Sequence, residues 1–161
     1  GKRNRMFPAS IKGGRGWVES INATSEWRSH IHTHPKHPML PPGMAYPSPS
    51  DLYLSIFRAF DHHGYNYHIA SVKGNGVTGY FSYRIGKKLL NAPETEKADI
   101  KEKARLYASL RFRANNPTAG AIYWSFFREL VEEGKIIVKI TPMPGYEYDK
   151  AIRGFVKKGT K

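Results

Sequence analysis

Apolar and polar positions alternate from Trp17 to His34 on either side of the break Asn22-Ala23-Thr24-Ser25, and this period of two predicts strands near 16–21 and 26–33 joined by a turn. Residues 35–49 hold Pro35, Pro38, Pro41, Pro42, Pro47 and Pro49 together with Gly43, a composition that excludes a helix or a central strand and predicts a loop. Ser48-Pro49-Ser50-Asp51 then supplies an N-cap serine, a proline at the first helical position and an acid at the third. Leu52, Ile56 and Phe60 recur every four residues beside Tyr53 and Phe57, so an amphipathic helix runs from there to near Gly64. Tyr65 to Val72 and Val77 to Ile85 are rich in aromatic and β-branched residues and flank Lys73-Gly74-Asn75-Gly76, the pattern of a β-hairpin.

A second helix is predicted over roughly 95–113, where Ala98, Ala104, Leu106, Ala108 and Leu110 sit among many charges. Asn115-Asn116-Pro117 breaks it. Ile122, Tyr123, Phe126, Phe127, Leu130 and Val131 mark a third helix stopped by Gly134, and Ile136 to Ile140 reads as a strand before Pro142. The chain beyond Gly145 is basic and poorly patterned. Strands and helices alternate irregularly and no repeat is visible, which predicts an α+β class with a mostly antiparallel or mixed β-sheet flanked by helices.

The 161 residues suit one domain: a basic arm over 1–15, a single folded unit over 16–145 and a basic tail over 146–161. At 40% hydrophobic and 13% aromatic residues the chain is too apolar for a disordered polycation, and with no cysteine it has neither a disulfide scaffold nor a thiolate metal site. No run of about 18 apolar residues predicts a membrane span. A first residue of Gly rather than Met predicts a processed chain or an excised fragment and leaves the compartment open. The formal net charge is +13, concentrated in 1–15, 84–113 and 135–161. That charge predicts weak, sequence-independent association with nucleic acid, carried mainly by Lys2, Arg3, Arg5, Lys157 and Lys158, although no motif of a nucleic-acid-binding fold is present.

The chemistry-bearing feature is a cluster of four of the seven histidines, His30, His32, His34 and His37. Residues two apart on a strand share a face, so His32 and His34 bring two imidazoles toward one point, a spacing suited to zinc. A catalytic zinc takes three protein ligands and leaves a position for water. Asp51, at the start of the following helix, is the natural third ligand, with His30 and His37 as competitors. Ser48 and Asp51 also have a structural explanation as a capping box worth about 1 kcal/mol, compatible with a metal role. His62 and His63 fall at a helix C-terminus, where a cation is favoured, and His68 lies within a strand. Tyr65, Tyr67, Tyr80, Phe81 and Tyr83 read as strand aromatics of the core, able to stack bases only where exposed.

His32-Thr33-His34-Pro35 followed by Ser48-Pro49-Ser50-Asp51 resembles the His-x-His-Pro…Ser-x-x-Asp signature of the JAMM, or MPN-type, zinc metalloproteases, and the order of elements from 17 to about 85 agrees. The resemblance implies an MPN/JAMM-like fold in which His32, His34 and Asp51 hold Zn2+ and Ser48 polarises the carbonyl of a protein or isopeptide-linked substrate. It implies a zinc-dependent amide-bond hydrolase, with an inactive scaffold of the same fold as the alternative. Two departures stand out. The proline-rich gap from His34 to Asp51 is longer than in typical members, and the family's catalytic glutamate has no obvious motif upstream. Glu26 is six residues from His32 on the same strand, about 20 Å away at ~3.3 Å per residue, too far to act. Glu19, on the neighbouring strand, falls beside residues 29 to 32 and is the candidate general base, unless the base lies outside this chain.

Overall fold

The computed structural model describes residues 29–33, 45–61, 66–74, 76–109 and 117–159, together with the backbone pairing of two short strands, β1 (Gly13–Gly14) and β2 (Trp17–Val18). The main sheet has four strands in the order β3 (Ser29–Thr33), β4 (Asn66–Lys73), β5 (Gly76–Ile85) and β6 (Ile136–Pro142). β3 and β4 are parallel, the other two pairings antiparallel, so the sheet is mixed. Parallel neighbours need a connection that returns over the sheet, and here it carries α1 (Pro49–Asp61). The mixed sheet flanked by helices is the α+β arrangement expected from the sequence, but the strand expected over 16–21 is described only at Trp17–Val18. There it pairs with Gly13–Gly14 in a separate sheet and not with the strand at Ser29–Thr33, so the neighbouring-strand position expected for Glu19 is not among the described pairings.

Helix α1 buries Leu52, Ile56 and Ala59, a stripe at spacings of four and three, against the sheet. Along the inner face of the sheet, His30, Tyr67, Tyr83 and Val138 form one cross-strand row and His32, Ile69, Phe81 and Ile140 the next. A short helix α2 (Lys87–Leu90), which the hydrophobic pattern does not announce, leads into α3 (Glu94–Ser109) and α4 (Pro117–Glu132). Phe127 of α4 packs its ring against Phe81 and Tyr83, and Ile100 and Ala104 of α3 complete the core. Lys97 and Lys101 of α3 lie over the rings of Phe60 and Phe57, so cations cover the partly exposed edge of α1. No helix among the described residues is long and apolar enough to cross a membrane.

The chain after Gly145, expected as a poorly patterned tail, forms a hairpin of β7 (Tyr146–Asp149) and β8 (Gly154–Lys157). Its strands are four residues each, too short for a legible alternation, and its turn uses Arg153 at positive φ rather than a glycine. Phe155 is buried, stacks edge-on against Tyr148 and fills the space that the missing side chain of Gly79 leaves over the sheet. A Cβ on Gly79 would overlap that ring. Gly79→Ala should therefore cost about 1–3 kcal/mol through overpacking, whereas Gly76→Ala, where the added methyl meets open space, should stay within about 0.5 kcal/mol. Urea unfolding of the two variants measures the difference, and equal midpoints would show that the hairpin does not seat on Gly79.

Candidate metal centre

The site forms where α1 begins beside the end of β3. Ser48 caps the helix: its Oγ accepts from the Asp51 backbone N–H at 3.1 Å, and Asp51 Oδ2 accepts from the Ser48 N–H at 3.0 Å. Two otherwise unpaired donors of the first turn are satisfied reciprocally, which holds the Asp51 carboxylate at the helix entrance. Further along the same face, the Ser55 hydroxyl donates to the Asp51 carbonyl at 2.6 Å. With that hydrogen used, the 2.6 Å contact between Ser55 Oγ and the Tyr83 hydroxyl makes the phenol the donor. Burial and the Asp51 charge push the Tyr83 pKa well above its ordinary value, so the phenol stays protonated for this role. A chain of hydrogen bonds thus runs from β5 through Ser55 to Asp51.

Asp51 faces the sheet's first strand. His32 Nε2 lies 3.3 Å from Asp51 Oδ2, and the other ring nitrogen, Nδ1, lies 3.0 Å from His30 Nε2. Both histidines are half-buried on the inner face, while Ser29, Ile31 and Thr33 point to the other side, so the alternation expected of the strand holds over the described residues. Burial, then the neighbouring His32 and the Arg58 guanidinium, push the His30 imidazole down to about 4, against a smaller opposing pull from Asp51. His30 is then neutral at pH 7; because the Asp51 carboxylate only accepts, His32 Nε2–H donates to it and His32 Nδ1 accepts from His30 Nε2–H, whereas a metal on His32 Nε2 would take the place of that proton and make Nδ1–H the donor to His30. Such a partner on the remote nitrogen is how a metal-binding imidazole is commonly oriented.

Of the residues singled out from the sequence, His32, Asp51 and Ser48 are brought together; His34, His37 and Glu19 lie outside the described residues. Among the described residues no three His, Asp or Glu side chains converge on one point; His32 and Asp51 meet as a pair. The donor set and spacing fit zinc. Nitrogen and oxygen ligands at ~2.0–2.1 Å in a tetrahedral site lie about 3.3 Å apart, and the His32 and Asp51 ligand atoms are 3.3 Å apart.

Sequence reasoning placed His30 among the competing ligands and missed Ser55 and Arg58. Ser55 did carry a signal, a polar residue four positions after Asp51 on the buried stripe of an amphipathic helix. The larger omission is the support from α4 and the C-terminal hairpin. The backbone N–H of Ala45 donates to the Arg153 carbonyl at 2.9 Å, the Tyr123 hydroxyl donates to the Pro47 carbonyl at 2.5 Å, and the Arg153 guanidinium lies over the rings of Tyr46 and Trp124. Residues 45–47 are thereby pinned immediately before the helix cap. No protein-family model, curated protein or solved structure matches the chain, so the reading of this centre rests on its own residues.

Proposed function

We propose that the chain is a zinc-dependent amide-bond hydrolase of the JAMM (MPN) type, acting as an isopeptidase or peptidase, with His32, His34 and Asp51 as metal ligands. The observation that carries the reading is the 3.3 Å approach of His32 Nε2 to Asp51 Oδ2, which joins the two halves of the His-x-His-Pro…Ser-x-x-Asp pattern across 19 residues. Zinc held there would supply a Lewis acid for the scissile carbonyl and lower the pKa of water toward 7. Ser48 Oγ accepts from the Asp51 N–H, a bond that does not use its own hydrogen, so its O–H can donate to a substrate carbonyl oxygen. Glu19 is assigned to take a proton from water at its carboxylate and return it to the leaving amine. His30 orients the His32 ring through Nδ1, and the Tyr83–Ser55 chain holds the first turn of α1.

The purified chain should bind one zinc, and His32→Ala, His34→Ala or Asp51→Ala should abolish it, as read by metal content after dialysis. His37→Ala should leave zinc in place, and His30→Ala should keep a site whose affinity in a chelator competition falls about 10–100-fold. Zinc lost from the His30 and His37 variants but retained by the first three would reverse the ligand assignment.

Glu19→Gln should retain zinc and lose about 10²–10⁴ in turnover on isopeptide-linked or linear peptide substrates, because the amide keeps the shape of the side chain without its proton acceptor. Normal turnover by that variant would move the base elsewhere, and no turnover by the zinc-loaded parent would favour the inactive scaffold.

A further inference from the structure

The strand alternation that turns His30 and His32 inward gives the main sheet a second face, and its composition differs from that of the core. On it Ile31, His68, Ser82 and Lys139 form one cross-strand row. Arg84 and Tyr80 lie two residues to either side of Ser82 on β5. These side chains line an open groove of about 490 Å³ with no acidic residue among the described residues of its lining. Arg84 and Lys139 are exposed, Tyr80 is half-exposed, and His68 Nδ1 is 2.7 Å from Ser82 Oγ. Ile31 and Ile137 are also exposed on this face, and two cations and a histidine–serine pair set among such apolar side chains suit a ligand that offers both charge and flat apolar surface better than a wholly apolar cover, which would bury those polar groups without partners. It suits a polyanion that also carries apolar rings.

We propose that this outer face of the four-stranded sheet binds single-stranded nucleic acid, with Arg84 and Lys139 on phosphates and the Tyr80 ring stacking a base. Four strands at ~4.8 Å spacing span about 14 Å, a width on which sheet-based RNA-binding modules stack two or three bases. A duplex keeps its bases stacked on one another and would leave Tyr80 unused; an acidic peptide would use the cations alone. The net charge of +13 favours approach of any phosphodiester chain, and the groove adds the ring that distinguishes a single strand. The proposal is independent of zinc, because the groove lies on the face opposite to His30 and His32.

The test is fluorescence anisotropy with a fluorescein-labelled U12 RNA titrated at several salt concentrations, with circular dichroism confirming that each variant is folded. The parent chain should bind, weakening log-linearly as salt rises. Arg84→Ala combined with Lys139→Ala should reduce the salt slope by about 1.4, two contacts at ~0.7 each, and Tyr80→Ala should weaken binding about tenfold with the slope unchanged. Lys157→Ala combined with Lys158→Ala should reduce the slope less than the groove pair does. Three outcomes would overturn the assignment: no binding by the parent, a loss confined to the Lys157 and Lys158 variant, or displacement of U12 by poly-L-glutamate as readily as by unlabelled U12. A duplex of the same length binding more tightly than U12, with Tyr80→Ala without effect, would also overturn it in favour of simple phosphate attraction.

Discussion

The parallel pairing of β3 with β4 governs the arrangement of the described residues. Parallel neighbours cannot be joined by a tight turn, so the chain leaving β3 must cross the sheet before β4 begins, and α1 is the helical part of that crossing. An element that returns over the sheet starts near the end of the strand it follows. Residue 51 is thus delivered beside residue 32, although 19 positions separate them, and the same passage lays Leu52, Ile56 and Ala59 on the inner aromatic row. The geometry of the centre and the packing of the core are therefore two results of one topological choice.

What the sequence made legible was what is encoded locally. Ser48-Pro49-Ser50-Asp51 announced a helix start, and the reciprocal Ser48 and Asp51 bonds are its mechanism. The hairpin expected over Tyr65–Ile85 appears as Asn66–Lys73 and Gly76–Ile85, with Gly74 at positive φ in the turn. The helix expected over 95–113 is described as Glu94–Ser109, and the one ended by Gly134 lies where its apolar spacing puts it. Less legible was whatever depends on distant partners. The hairpin of β7 and β8 has short strands and an arginine in its turn, and it is seated on the sheet by Phe155 over Gly79 and Tyr148 against Phe81, pairs of residues that no local window contains.

The candidate site followed the same division. His32, Ser48 and Asp51 were visible because their motif is compact within each half, and the strand period correctly put His30 on the same face. Their supports were hidden: Tyr83 looked like an ordinary core aromatic, and only its hydroxyl, meeting Ser55 beneath the helix entrance, gives it a second task. The two faces of the sheet likewise could not be separated from composition alone. Alternation sends Phe81 and Tyr83 inward while Tyr80, Ser82 and Arg84 take the outer side of the same strand, so residues of very different surroundings are chain neighbours.

The pinning of residues 45 and 46 by Arg153 bears on the order in which the protein is made. A ribosome adds about 5–20 residues per second, so the hundred or so residues between Ser48 and Arg153 take about 5–20 s to synthesise. β3 precedes that interval and α1, β4 and β5 are made in its first part, before the carbonyl that receives the Ala45 N–H and the guanidinium that covers Tyr46 and Trp124 exist. The nascent chain can therefore hold Asp51 beside His32 through the β3–β4 pairing and the Tyr83–Ser55 chain before residues 45 and 46 gain their contacts with Arg153, which come when the hairpin of β7 and β8 closes. The entrance to α1 is thus braced in two stages, first from within the sheet and then from the C-terminal hairpin.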